Sequence, residues 1–192
     1  MARCVEFNEV EKIEKAMNVF SEKGYNATSM QDLVDAMQIN RSSLYNTIGD
    51  KHQLFMKCIG NYFDNAMTEI KEKVSRHDSA KEALITIIKD KAEWIISNDK
   101  GCLGMKTSFE VATDDCTVRN QMSKNNDVFI TFLATVVKRA MDSGEMDDTE
   151  DPALMAEYIA TSFTGWKQSY ILHNDPIKIK KMADFLIKNI FK

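Results

Sequence analysis

Helix-capping signals recur along this chain while residues that break helices are scarce, and no other feature constrains the fold as much. Apolar side chains return every three or four positions, and two prolines and seven glycines are all that interrupt 192 residues. That spacing gathers apolar groups on one face of a helix, where a half-buried strand would need strict alternation. The chain therefore reads as all-α. Its length supports a substantial core and admits either one large domain or a small domain fused to a larger one.

Local signals divide the pattern into successive helices. Asn8 is expected to cap the first, with Glu11 at the capping-box position, Val10, Ile13, Met17 and Phe20 on one face, and Gly24 as the left-handed stop. Thr28 with Gln31 reads as a box opening a short second helix that buries Met30, Leu33, Val34 and Met37. After a turn at Met37 and Gln38, Asn40 caps a short third helix, and Ile39 and Leu44 form a hydrophobic staple across its start. Gly49 closes that helix, and Asp50 with Gln53 opens a long fourth one carrying an apolar stripe from Leu54 to Val74.

Ser79 and Glu82 open a fifth helix, with Leu84, Ile87, Ile88, Trp94 and Ile95 inward. A short sixth is expected over about residues 105–112 and a long seventh over about 117–143, with Gly144 as its stop. Asp151-Pro152 and Asp175-Pro176 each set a cap residue before a proline at the first helical position, opening the last two helices.

The formal net charge of −4 argues against coating nucleic acid by bulk charge, but leaves room for a localised basic tip. No apolar run approaches a membrane span, and Met1 is not followed by a signal-peptide core, so a cytoplasmic protein with no membrane partner is expected. Cys4, Cys58, Cys102 and Cys116 are scattered, with no histidine at ligand spacing, and read as reduced thiols. No metal or cofactor is expected.

A capped helix, a tight turn and a second helix with small polar residues at its start is what entry into a major groove requires. Arg41, Ser42, Ser43, Tyr45, Asn46 and Thr47 supply donors on that second helix. Arg41 suits a guanine edge and Asn46 an adenine edge, whereas Thr28, Tyr45 and Lys51 are better placed for phosphates. By composition alone the same residues also fit the solvated face of a surface helix.

The run from Gly24 to Leu33, Ile39-Asn40-Arg41-Ser42-Ser43-Leu44-Tyr45, and Gly49-Asp50-Lys51-His52-Gln53-Leu54-Phe55 closely resemble the N-terminal domain of the TetR family. The resemblance spans about residues 7–55. It implies a three-helix DNA-binding head with a helix-turn-helix in residues 1–50, and a six-helix ligand-binding and dimerisation body in residues 51–192. The family pattern puts Arg41, Ser42, Ser43, Tyr45 and Asn46 on an operator, Thr28 and Lys51 on its backbone, and Leu33, Ala36, Ile39 and Leu44 in the head core. It also implies a homodimer formed through the last two helices, and release from a palindromic double-stranded operator on binding an effector.

Three positions depart from the pattern. Gln38 stands where glycine is usual in the turn, which forces an ordinary residue into a glycine-favouring backbone. Ile48 replaces a usual phenylalanine, and the N-terminal arm is Ala2-Arg3-Cys4-Val5 in place of a more basic one.

Gly101-Cys102-Leu103, followed by Glu110, resembles a TetR subgroup that includes electrophile-responsive repressors, in some of which the equivalent cysteine is the sensor. That resemblance makes Cys102 a sensor candidate, with Lys100 and Lys106 near it in sequence. A small residue packed at a helix start is the competing reading. Cys58 falls in the apolar stripe and reads as core.

Trp94, Met105, Phe109, Phe129, Phe132, Phe163, Trp166 and Tyr170 are candidates to line an internal pocket for a small hydrophobic or electrophilic effector. Gly165 within an otherwise helical pattern suggests close helix approach, across a dimer interface or around a ligand. A cysteine-dependent enzyme and a helical adaptor are the alternatives. The first lacks a general base or an oxyanion-binding turn, and the second leaves the polar face of the third helix unexplained.

Overall fold

The computed structural model describes residues 9–98 and 101–191, and among these every regular element is a helix. In order they are α1 (Glu9–Lys23), α2 (Met30–Met37), α3 (Arg41–Thr47), α4 (Lys51–Val74), α5 (Ala80–Ser97), α6 (Leu103–Glu110), α7 (Cys116–Asp142), α8 (Pro152–His173) and α9 (Pro176–Ile190). No described helix is long and apolar enough to cross a membrane. The expected cap at Asn8, the arm at residues 2–5 and Lys100 lie outside the described residues.

Most capping signals act as their chemistry dictates. Asp50 Oδ1 accepts the Gln53 amide at 2.8 Å while Gln53 Oε1 accepts the Asp50 amide at 3.1 Å, a complete box. Ser79 caps α5 by accepting the Glu82 amide, and Asp151 and Asp175 cap α8 and α9 ahead of Pro152 and Pro176. Two expectations need correction. The cap of α2 is Ser29, in a reciprocal box with Asp32, because the Thr28 hydroxyl turns back onto the Gly24 carbonyl at 2.5 Å. Val10 is exposed, since α1 turns Ile13, Ala16 and Phe20 inward.

Packing forms two compact units. One takes the described residues within 1–65 and 100–122; the other takes those within 66–99 and 123–192. In the first, Phe20, Leu33, Met37, Leu44, Leu54, Phe55 and Ile59 are fully buried together with Leu103 and Val118, and Val111 is buried beside them. Each such side chain contributes about 1.5–3 kcal/mol by leaving water. Phe55 packs edge-on to Phe20 at 4.9 Å and against Tyr25 at 4.6 Å. Ile48 fills the phenylalanine position without exposure.

The first unit thus joins α1–α3 to the front of α4, to α6 and to the start of α7, and polar contacts reinforce that packing. Lys106 Nζ donates to the Glu22 carbonyl at 2.6 Å, and the Glu110 carboxylate accepts the amides of Asn26 at 2.6 Å and Tyr25 at 3.2 Å. His52 Nε2 lies 2.8 Å from Asp115 Oδ2, and Asp115 also caps α7 through the Thr117 and Val118 amides.

The second unit packs α5, the rear of α7, α8 and α9 around Leu84, Ile88, Leu133, Val137, Ile159, Phe163, Trp166 and Leu186. Buried Lys167 donates to the Asn98 carbonyl at 2.5 Å and lies over the rings of Trp94 and Tyr170.

Candidate functional site

The helix-turn-helix is built by one unusual backbone position. Gln38 adopts φ 52° and ψ 48°, the left-handed region, and its amide donates to the Asp35 carbonyl while the Ile39 amide donates to Val34. Those bonds end α2 and reverse the chain, so that Asn40 immediately starts α3 by accepting the Ser43 amide at 2.7 Å. Glycine adopts this conformation at little steric cost; glutamine adopts it here under strain, as the sequence suggested.

On α3, Leu44 and Ile48 turn inward, which leaves Arg41, Ser42, Tyr45, Asn46 and Thr47 exposed and Ser43 half-buried. The Arg41 guanidinium lies 5.9 Å from the centre of the Tyr45 ring, one turn along. This contact orients the cation on the outer face of the helix. The helix therefore offers amide, hydroxyl and guanidinium donors on one short surface with no bulky aliphatic group among them.

Thr28 and Lys51 flank it differently. Thr28 is 1% exposed and its hydroxyl is committed to Gly24, so its side chain faces the head core. Lys51, at the first turn of α4, lies 4.4 Å above the Tyr25 ring; partial burial lowers its pKa, and the nearby Glu110 and Asp32 carboxylates oppose that shift.

The residues expected to line one pocket are divided. Cys102, Met105 and Phe109 belong to the first unit; Trp94, Phe129, Phe132, Phe163, Trp166 and Tyr170 belong to the second. Phe109 is 73% exposed, which corrects its expected place in an internal pocket: α6 buries Leu103 and Thr107, and Phe109 falls on the opposite face. Phe163 and Trp166 are buried in contact at 5.4 Å, and Trp94, Phe129, Phe132 and Tyr170 pack partly buried on the same core.

Cys102 is the N-cap residue of α6, half-buried, with its sulfur 3.5 Å from the Tyr62 hydroxyl. Burial raises the Tyr62 pKa, and so does the adjacent sulfur. Cys58 is core: burial pushes its thiol up to about 12, and it faces the Ile13 carbonyl. Cys116 is exposed.

Between α8 and α9 lies a groove of about 600 Å³ lined by Tyr158, Gly165, Trp166, Ile177, Met182 and Phe185. Phe185 is 67% exposed, and Leu154, Tyr158 and Ile177 are also open to solvent on these two helices. A Cβ placed on Gly165 would meet nothing within 4 Å, so no neighbour in this chain requires a glycine there.

Sequence reasoning missed the contacts of Lys106, Glu110 and the His52–Asp115 pair with their partners. Glu110 meets Tyr25 and Asn26 across 85 and 84 residues, separations at which no local spacing rule operates.

A family model described as bacterial regulatory proteins, tetR family, matches residues 13–58, and one described as tetracyclin repressor-like, C-terminal domain, matches residues 80–186. Over 166 residues the chain is 29% identical to the uncharacterized HTH-type transcriptional regulator YezE of Bacillus subtilis (strain 168), covering 84% of this chain and 85% of YezE. A cysteine mutant of the TetR family transcriptional regulator CifR, solved with 26-base-pair double-strand operator DNA, superposes with a TM-score of 0.84 at 21% identity over 97% of this chain and 98% of that one. The transcriptional regulator FadR from Bacillus subtilis in complex with stearoyl-CoA gives a TM-score of 0.80 at 14% identity over 96% and 98%. At these identities the two structures establish a shared fold.

Proposed function

Because the chain belongs to the TetR family, and so is a ligand-responsive DNA-binding transcriptional regulator, we propose that it represses genes by laying α3 in the major groove of a palindromic operator. In this reading residues 1–50 are the DNA-binding domain and residues 51–192 bind effector and dimerise. Arg41 and Asn46 read base edges; Ser42, Ser43 and Thr47 add donors; Tyr45 and Lys51 reach phosphates. Thr28 supports the turn from within, its side chain being spent on Gly24. The observation that carries the reading is the exposed polar face of α3 presented by the Gln38 turn.

A homodimer would set two such helices about 34–36 Å apart, one turn of DNA. The exposed apolar side chains of α8 and α9 support a self-complementary interface there, and Gly165 lies in the same groove. A small hydrophobic effector among the aromatic residues of the second unit, or an electrophile at Cys102, would favour a head spacing that no longer fits DNA. Effector and operator would then weaken each other's binding by the same factor.

The test is operator selection from random-sequence duplexes with purified protein, followed by competition with unrelated DNA across a salt series. Recovery of a palindrome bound far more tightly than competitor is expected. Binding that is equal for all sequences, or absent at low salt, would overturn the reading.

A further inference from the structure

The α1–α2 turn is gripped from outside by α6. At the end of α1 the Lys106 ammonium donates to the Glu22 carbonyl in the last turn of the helix. Just beyond it, the Glu110 carboxylate takes the consecutive amides of Tyr25 and Asn26. Gly24 makes this approach possible: its φ is +83°, and a Cβ there would stand 2.4 Å from Glu110 Oε2. One cation and one carboxylate, a helical turn apart on α6, thus satisfy opposite backbone charges on either side of the bend that leads into α2 and α3.

We propose that Lys106 and Glu110 are positioning residues for operator binding, and that a displacement of α6 reaches the recognition helix through this two-point clasp. The inference rests on the regulatory reading above. α2 begins at Met30, four positions after Asn26 and directly after its cap Ser29, so moving the amides of Tyr25 and Asn26 moves the start of the helix-turn-helix. The grip uses charge-assisted hydrogen bonds rather than apolar contact, and such bonds are lost over a small displacement where a packed face can slide. The other end of α6 abuts α4: a Cβ on Gly104 would lie 3.4 Å from Phe63 and 3.8 Å from the Cys102 sulfur. A methyl at Gly104 would thus rest in ordinary contact, whereas a longer side chain such as leucine would run into the Phe63 and Tyr62 rings and push α6 away from α4 without touching the clasp.

A double-mutant cycle tests this without an effector. The wedge Gly104→Leu, with Gly104→Ala as the control that fits without displacement, is combined with Lys106→Met and Glu110→Gln, and binding to the selected operator is measured for each folded variant. The wedge is expected to weaken binding by about tenfold in the wild type and by less than about twofold once the clasp is removed. Equal losses in both backgrounds, or no loss in the wild type, overturn the proposal. Amide exchange supplies a readout that needs no DNA: the wedge should speed exchange at Tyr25 and Asn26 while α5 amides such as Ile88 keep their protection. Unchanged exchange at those two amides also overturns it. A wild-type protein that selects no operator defeats the regulatory reading instead, and the exchange measurement still decides the clasp.

Discussion

The Tyr62 hydroxyl on α4 lies 3.5 Å from the Cys102 sulfur at the start of α6. Burial keeps the Tyr62 phenol neutral, and at this distance it can donate to the sulfur or accept from it. Tyr62→Phe is therefore expected to change the rate of Cys102 alkylation by N-ethylmaleimide by about twofold to tenfold, the range for one ordinary hydrogen bond. Cys102→Ser should abolish any effect of the reagent on operator binding while leaving affinity in its absence within about twofold. Mass-resolved labelling kinetics check the first, and anisotropy titrations before and after treatment check the second. An undiminished reagent effect in Cys102→Ser would remove Cys102 as a sensor.

Arg41→Ala is expected to cost about 1–3 kcal/mol of specific binding and to relax preference at one base position. The Arg41–Tyr45 contact holds the guanidinium on the outer face of α3, so Tyr45→Leu should produce a smaller loss with the salt slope unchanged, since no cation is removed. Competition titrations on single-base operator variants measure both, and wild-type discrimination in Arg41→Ala would take this residue out of base readout.

Gln38→Gly should raise stability by about 1 kcal/mol. The left-handed backbone at Gln38 costs a residue bearing a Cβ about 1–2 kcal/mol, part of which glycine returns as entropy of the unfolded chain. Urea unfolding with an unchanged slope and a higher midpoint is the expected result. A lower midpoint would mean that the glutamine side chain contributes more than its backbone loses.

Acid should loosen the first unit through Asp115. Its carboxyl is held below its ordinary value of 3.8, chiefly by accepting the Val118 amide and further by His52, against some desolvation. A lowered folded value means that this contribution is complete above about pH 4 and disappears as pH falls through the folded value. Melting temperature against pH between about 5 and 2 should fall less steeply in Asp115→Asn than in wild type, while other lowered carboxylates such as Glu145 retain part of the acid limb.

Phe185→Asp or Tyr158→Asp should leave the helical content unchanged but yield a monomer with greatly reduced operator affinity, because two half-sites bound independently lose the gain of linkage. Sedimentation and operator titration of the same samples decide it. A dimer retained in both variants would place the interface elsewhere.

Several features were legible before any coordinates. Asn40, the Asp50–Gln53 pair, Ser79 and the two Asp-Pro steps act within four residues of the helices they start, so residue type and spacing were sufficient. Cys58, Leu33 and Leu44 were legible as core because a helix repeats its buried face. The α2 cap was misplaced by one residue: Thr28 and Ser29 carry equivalent hydroxyls, and only the return of Thr28 onto Gly24 selects between them.

Local chemistry, acting over a turn or two of helix, was enough to determine an all-helical chain whose second and third helices meet at a short turn, while the resemblance to the family pattern marked that turn as a glycine-type bend taken by a glutamine. Which surfaces meet was decided by folding in three dimensions. Phe109 and Phe163 look alike in the sequence, yet one faces solvent and the other is core, because burial depends on what packs against the next helix. The grip of Lys106 and Glu110 on the α1–α2 turn likewise exists only once segments more than eighty residues apart have come together, and no periodicity in the chain encodes that meeting.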